Sequence, residues 1–411
     1  MMDFPLRVLF VSHAYVVGVN QGKLNAIANT GKAKVGLLAP SNWKAVEWNR
    51  IIEVEKPYPN LQIYSSPVFF SGRVGAHFYN PRAIWQVLND FQPDIVQVEE
   101  EAFSLTSFEI AVWSKLTGKP MVVFGWENME RRLPLPRWWI CQFVLDVASA
   151  IIPGNQDGAT IVQRWGYQGL LEVMPQIGVD DRFFAPRGRK TSEISEDSDR
   201  ELRIGYLGRI TLSKGIDLIF AAVRQLRERG LNCQVILCGS GGDETILKQQ
   251  AQELQVADLV TWRGAVRHEQ TPEEIAKFDV LVLPSRTTAT WKEQFGHVLI
   301  EAMAMGVPVV GSSSGEIPNV IGRADLIFQE ENAAELAAIL ERAIREPDWR
   351  QEVAHYGMQR VSQLYTHERI AERLLNLWQT VLSQRYGQIS NELDEAILSE
   401  PSNAILEDSQ A

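Results

Sequence analysis

Residues 280–310 read VLVLPSRTTATWKEQFGHVLIEAMAMGVPVV. The apolar run Val280–Leu283 predicts a buried strand that Pro284 stops, and Ser285–Gln294 is a polar loop. His297–Met305 then predicts a helix, ended by Gly306 before a second strand, Val307–Val310. Strand, loop, helix and strand in that order form the repeating unit of a parallel α/β sheet, whose ligands sit at the carboxyl ends of the strands. There the free N–H groups at the helix start are exposed, and Gly296 lets an oxyanion come close to the backbone. Glu293 lies in the loop and Glu301 about a turn inside the helix, so the two can face one ligand and hold different parts of it. Paired hydroxyls, as on a ribose or hexose, suit such carboxylates.

The same rhythm extends in both directions. Arg7–Ser12, Lys34–Leu38, Asp94–Val98, Met121–Phe124 and Ala150–Ile152 are short apolar runs separated by amphipathic segments. A polar stretch follows, and the pattern restarts with Leu202–Leu207, Cys233–Cys238, Val260–Trp262, Val280–Leu283 and Val307–Val310. The expected organisation is therefore an N-terminal α/β domain over residues 1–185, a polar linker at 186–201 and a C-terminal α/β domain over 202–365. Ile370, Leu374, Leu377, Trp378 and Val381 have helical spacing, so residues 366–386 are expected to return to the first domain as a helix. Residues 387–411 are acidic and are expected to form a mobile tail, although Leu393, Ile397 and Leu398 are spaced like a short docking helix.

Composition narrows the function classes. Over 411 residues, 40 Lys and Arg against 51 Asp and Glu leave a net charge of −11, which disfavours a general nucleic-acid binder. No run approaches the length of a membrane span, and the apolar stretch near the N-terminus is too short for a signal peptide. The three cysteines, Cys141, Cys233 and Cys238, show no metal spacing and suit a reducing compartment. A cytoplasmic protein is expected, with no bound metal.

The order Glu293-Gln-Phe295-Gly296-His297 through Glu301 to Gly306-Val-Pro308 resembles the retaining, nucleotide-sugar-dependent glycosyltransferases of family 4, and Glu-x7-Glu is specific in that context. The resemblance implies a GT-B fold, in which two Rossmann-like parallel-sheet domains face a central cleft. It also implies transfer of a sugar from a nucleoside diphosphate, UDP- or GDP-linked, to a carbohydrate or lipid-linked acceptor, with no other cofactor. Gly208-Arg209 followed by Lys214-Gly215, after Leu202–Leu207, is similar to the family's phosphate-binding pattern. Arg209 and Lys214 would then stabilise a diphosphate leaving group in place of a metal. Phe295 and Gly296 would present amides to the donor, Glu293 would hold the sugar hydroxyls, and Glu301 the ribose. Gly239 and Gly264 open loops that resemble those around the nucleotide, and Ser313–Glu316 resembles a loop near the diphosphate and sugar.

In the first domain, Val16–Lys23 resembles the family's glycine-rich loop, with Gly22 as its candidate. The family's usual His is absent after Met121–Phe124, where the chain reads Gly125-Trp126-Glu127-Asn128. Either Glu127 or Asn128 takes its positioning role, or the acceptor is held differently. Arg131–Ile140 interleaves cations and tryptophans, as at an anionic membrane surface or in a carbohydrate-facing loop. A sugar-nucleotide epimerase and a non-catalytic sugar-nucleotide-binding protein are the rival readings.

Overall fold

The structure is a computed structural model, and it describes residues 5–45, 50–186 and 201–399. The first domain is built on seven parallel strands, β1 (Leu6–Val11), β2 (Ala33–Pro40), β3 (Gln62–Ser66), β4 (Ile95–Glu99), β5 (Met121–Gly125), β6 (Ala150–Pro153) and β7 (Leu170–Leu171). Their order across the sheet is β7-β6-β5-β4-β1-β2-β3. The second domain has six parallel strands, β8 (Leu202–Leu207), β9 (Cys233–Cys238), β10 (Val260–Gly264), β11 (Val280–Leu283), β12 (Val309–Ser312) and β13 (Ile327–Phe328). They run in the order β10-β9-β8-β11-β12-β13. In both sheets the chain winds one way from its first strand and then reverses, so each domain has a switch point: between β1 and β4, and between β8 and β11. Crevices for ligands open at the carboxyl ends of such strand pairs.

Burial on both faces explains the apolar runs. Along β1, Val8 and Phe10 enter one core with Leu24 and Ile27, while Leu9 and Val11 enter another with Ile84, Leu88 and Trp113. Caps set the helix starts: Asn80 accepts the amide of Arg82, and Asn155 accepts that of Gly158 at 2.7 Å.

The long helix His367–Ser399 crosses back to the first domain, where Ile370, Leu374, Trp378 and Val381 fill the core beside Val8 and Phe10. The buried Trp378 indole donates to Gln97 Oε1 at 2.9 Å. The chain thus passes between domains twice, and the two crossings lie side by side. Val179 N–H donates to the Tyr365 carbonyl at 2.8 Å, and His367 N–H to the Val179 carbonyl at 3.2 Å.

Residues 387–399, the first part of the expected tail, continue this helix. Once the docked front half has nucleated it, each further residue adds a hydrogen bond at little cost. Residues 400–411, and 187–200 of the expected linker, lie outside the described residues.

Candidate active site

The second domain's switch point gathers the candidate residues. β8 ends in Gly208-Arg209, and a short 3-10 turn, Leu212–Lys214, brings Lys214 back toward the end of β11. Lys214 Nζ lies 2.6 Å from Glu293 Oε2 and 4.5 Å from the centre of the Trp291 ring. The same carboxylate oxygen accepts the Ser285 hydroxyl at 2.7 Å. Both Lys214 and Glu293 are nearly withdrawn from water, so their attraction is little screened. Beneath them, Tyr206 donates its hydroxyl to the Arg209 carbonyl at 2.6 Å, and Glu293 and Arg209 both act electrostatically on that phenol. Lys214, Glu293 and the Arg209 segment therefore share one site, joined by Ser285, Trp291 and Tyr206, which no spacing in the sequence marks.

Three glycines lie at the ends of adjacent strands. Gly208 N–H donates to the Cys238 carbonyl at 3.0 Å, and Gly239 N–H to the Gly264 carbonyl at 2.8 Å. Gly239 requires a missing side chain: at φ 143°, a Cβ would stand 1.8 Å from the Gly208 carbonyl oxygen. Gly264, at φ 73°, has nothing within 4 Å of such a Cβ and leaves an open surface.

Gly296 caps the helix His297–Ala304 in the left-handed region, at φ 83°. The Phe295 ring packs on Tyr365 at 5.7 Å, so this residue offers its backbone and not its side chain. Glu301 and His297 line a cavity of about 500 Å³ between the domains, together with His268, Asp180, Gly18 and His367. Burial pushes the Glu301 carboxyl up to about 7, and desolvation pulls His297, on the cavity wall, down to about 4 against the attraction that Glu293 offers its cation.

The first domain closes over this site through the segment that lacks the family's His. Asn128 Nδ2 donates to the carbonyls of Lys292 and Glu293, each at 3.2 Å, and Gln294 Nε2 donates to the Trp126 carbonyl at 3.1 Å. Lys292 pairs with Asp157 at 2.6 Å, and Glu316 accepts the Gln156 amide at 3.0 Å. Of the Ser313–Glu316 loop, Glu316 is thus committed to the domain interface. Glu127 turns elsewhere: its carboxylate takes the Met129 amide at 3.2 Å and Arg131 at 3.0 Å. Asn128, and not Glu127, is the residue placed on the Glu293 loop. Gly22 lies against the return helix, where a Cβ would be 2.3 Å from His367 Nε2, so any larger residue there must displace the His367 ring.

Comparison with known proteins agrees with this architecture. Residues 189–360 match the family model Glycosyl transferases group 1. Two curated relatives are a GDP-mannose-dependent α-(1-6)-phosphatidylinositol monomannoside mannosyltransferase of Mycobacterium tuberculosis and a putative colanic acid biosynthesis glycosyltransferase, WcaL, of Salmonella typhimurium. The first is 29% identical over 43% of this chain and 50% of its own, the second 28% identical over 72% and 73%. The chain thus spans about half the length of the first of them. The structure of Anabaena HepE in complex with UDP superposes with a TM-score of 0.68 at 17% identity, over 91% of this chain and all of that one. The fold is GT-B. In GT-B terms, the Lys214–Glu293 pair belongs to the C-terminal Rossmann-like domain, and Asn128 reaches it from the N-terminal one.

Proposed function

We propose that this chain transfers a sugar from a nucleoside diphosphate to an acceptor hydroxyl, with retention at the anomeric carbon. The observation that carries this reading is the pairing of Lys214 with Glu293 beside Arg209 at the β8–β11 switch point. In the reaction, the bond from the anomeric carbon to the diphosphate oxygen breaks as the acceptor oxygen bonds on the same face. The acceptor's proton passes to the departing phosphate. Arg209, Lys214 and the amides at Gly296 offset the charge growing on that phosphate. Glu293 holds sugar hydroxyls, and when it does so its grip on Lys214 loosens, freeing the ammonium for the diphosphate. The relatives' names support a UDP- or GDP-linked donor.

The test is thermal stabilisation by UDP, GDP and ADP. A ligand at about 100 times its dissociation constant adds roughly 2.7 kcal/mol, so one nucleoside diphosphate is expected to raise the melting temperature by several degrees. If none does at millimolar concentration, the reading fails. Acceptor-free incubation with the donor then separates transfer from epimerisation, since an epimerase converts the sugar nucleotide without an acceptor.

Glu301 gives this reading a pH signature. Its carboxyl, ordinarily near 4.5, is pushed up to about 7, so the folded chain holds a proton that the unfolded chain releases, and Glu301's contribution to stability falls as pH rises from about 4.5 to 7. Ribose binding needs the carboxylate, so affinity moves the other way. An intact sugar nucleotide, whose phosphates do not titrate here, is expected to bind up to about tenfold more weakly at pH 6 than at pH 8. Calorimetry on the wild type and on Glu301→Gln checks this, because the variant is expected to lose the slope.

The segment Arg131–Ile140 supports a lipid-side acceptor. The helix Leu135–Val147 begins with Leu135 and Trp139 82% and 74% exposed, next to the partly exposed Trp138 and to Arg131. Such a pairing of indoles and guanidinium suits an anionic membrane surface. Among the described residues, no helix is long and apolar enough to cross a membrane.

A further inference from the structure

We infer that the first domain carries a binding site for a divalent transition ion, zinc by its donor set, formed by His13, His77 and Glu100. The three ligating atoms lie within 4.8 Å of one another, at the switch point of the first sheet. His13 follows β1 by two residues, Glu100 follows β4 directly, and β1 pairs with β4. His77 arrives on the loop before the helix Pro81–Phe91. The site depends on none of the donor-site residues and does not rest on sugar transfer.

Unsatisfied polar atoms point to the ion. His77 and Glu100 are fully buried, and Glu100 Oε2 and both ring nitrogens of His77 lack a partner at ordinary hydrogen-bond geometry, His77 Nε2 facing Glu100 Oε1 only at 3.5 Å. Such an atom costs about 1–3 kcal/mol where it stays unmet, and a bound ion is one standard way to meet it, here at one His77 ring nitrogen. The donors are also held in place. The Trp43 ring lies 4.6 Å from the His13 ring and 4.9 Å from His77, and the His13 amide donates to Glu100 Oε1 at 2.9 Å.

Two imidazoles and one carboxylate suit Zn²⁺ and its first-row neighbours, whereas Mg²⁺ and Ca²⁺ prefer all-oxygen shells. Bonds of about 2.0–2.1 Å at tetrahedral angles put ligand atoms about 3.3 Å apart. His77 Nε2 is already 3.5 Å from Glu100 Oε1. His13 Nδ1, at 2.6 Å, must open by about 0.7 Å as the ion replaces the shared proton. Three protein ligands leave a fourth position, and His13, whose side chain is 14% exposed, is the accessible side. Its ring lies 6.1 Å from that of Trp126, whose carbonyl receives Gln294 from the second domain. The open position therefore faces the wall between the domains, where an acceptor hydroxyl or water completes the shell.

The experiment uses the full chain, stripped with a chelator and titrated with Co²⁺ and then Zn²⁺ against a chromophoric competitor. The expected result is one equivalent of Zn²⁺ bound with a dissociation constant of about 1 μM or tighter, with visible Co²⁺ absorption of tetrahedral intensity and no competition from Mg²⁺. Glu100→Gln and His77→Ala are expected to abolish it. Should those buried changes unfold the chain, His13→Asn at the exposed edge is expected to weaken binding by about 100-fold or more while the fold is kept. Binding weaker than about 100 μM in the wild type, or binding that His13→Asn leaves unchanged, would overturn the site.

Discussion

Replacing Arg209 and Lys214 together by alanine is expected to lower turnover by roughly ten-thousand-fold, since one well-aimed donor to a developing anion is worth about 10²–10³. The loss should appear in the catalytic constant more than in donor affinity, because the charge both cations oppose is largest as the glycosidic bond breaks. Folding should survive. A modest loss of stability is expected beside it, because the nearly buried Glu293 carboxylate is left with the Ser285 hydroxyl at 2.7 Å in place of the ammonium. Initial rates with a saturating sugar nucleotide, beside a thermal melt of the same preparation, decide the matter. A double variant that stays within about tenfold of the wild type removes the diphosphate role from both residues.

The second large effect falls on stability. Gly239→Ala puts a methyl group 1.8 Å from the Gly208 carbonyl oxygen, a distance that backbone atoms cannot absorb without moving. It also strains a residue held at φ 143°. The expected cost is about 3 kcal/mol, or a melting temperature lower by roughly 6–12 °C for a domain of this size. Gly264→Ala separates the two causes, because at φ 73° it has the backbone strain and no close neighbour. Its cost should be about 1–2 kcal/mol. Equal losses in the two variants would mean that the close approach between Gly239 and Gly208 is not what requires glycine. Because Gly208 precedes Arg209, the alanine at 239 is also expected to reduce turnover in whatever fraction remains folded.

Much of this molecule was legible before its coordinates. Two-sided burial writes a parallel strand as an unbroken apolar run, so Val280–Leu283 and Leu202–Leu207 announced both their state and the restart of the pattern. Position in that pattern marked the loops at strand ends, and the resemblance to family 4 singled out Arg209, Lys214, Glu293 and Glu301 within them. What stayed hidden was set by partners distant in the chain. Nothing near Glu127 shows that it folds back on Met129 and Arg131 while its neighbour Asn128 crosses to a loop 165 residues away. The close contact at Gly22 comes from His367, and the trio His13, His77 and Glu100 has no local spacing that a metal pattern would reveal. Strand β4 also ends in a buried charge that no local pattern marks: Glu99 lies against Lys23 at 2.6 Å, beside Tyr15 and Gln97.

The paired crossings at Val179 and Thr366 carry a mechanical consequence. Two chain segments bonded to each other along one line are placed where the pins of a hinge would be, so a swing of the two halves about that line would keep both crossings intact. On the proposed reading, a swing that lets a nucleotide leave would have to break the Asn128, Gln294 and Lys292 links between the domains. A slow unzipping of that seam would then set the pace of successive cycles.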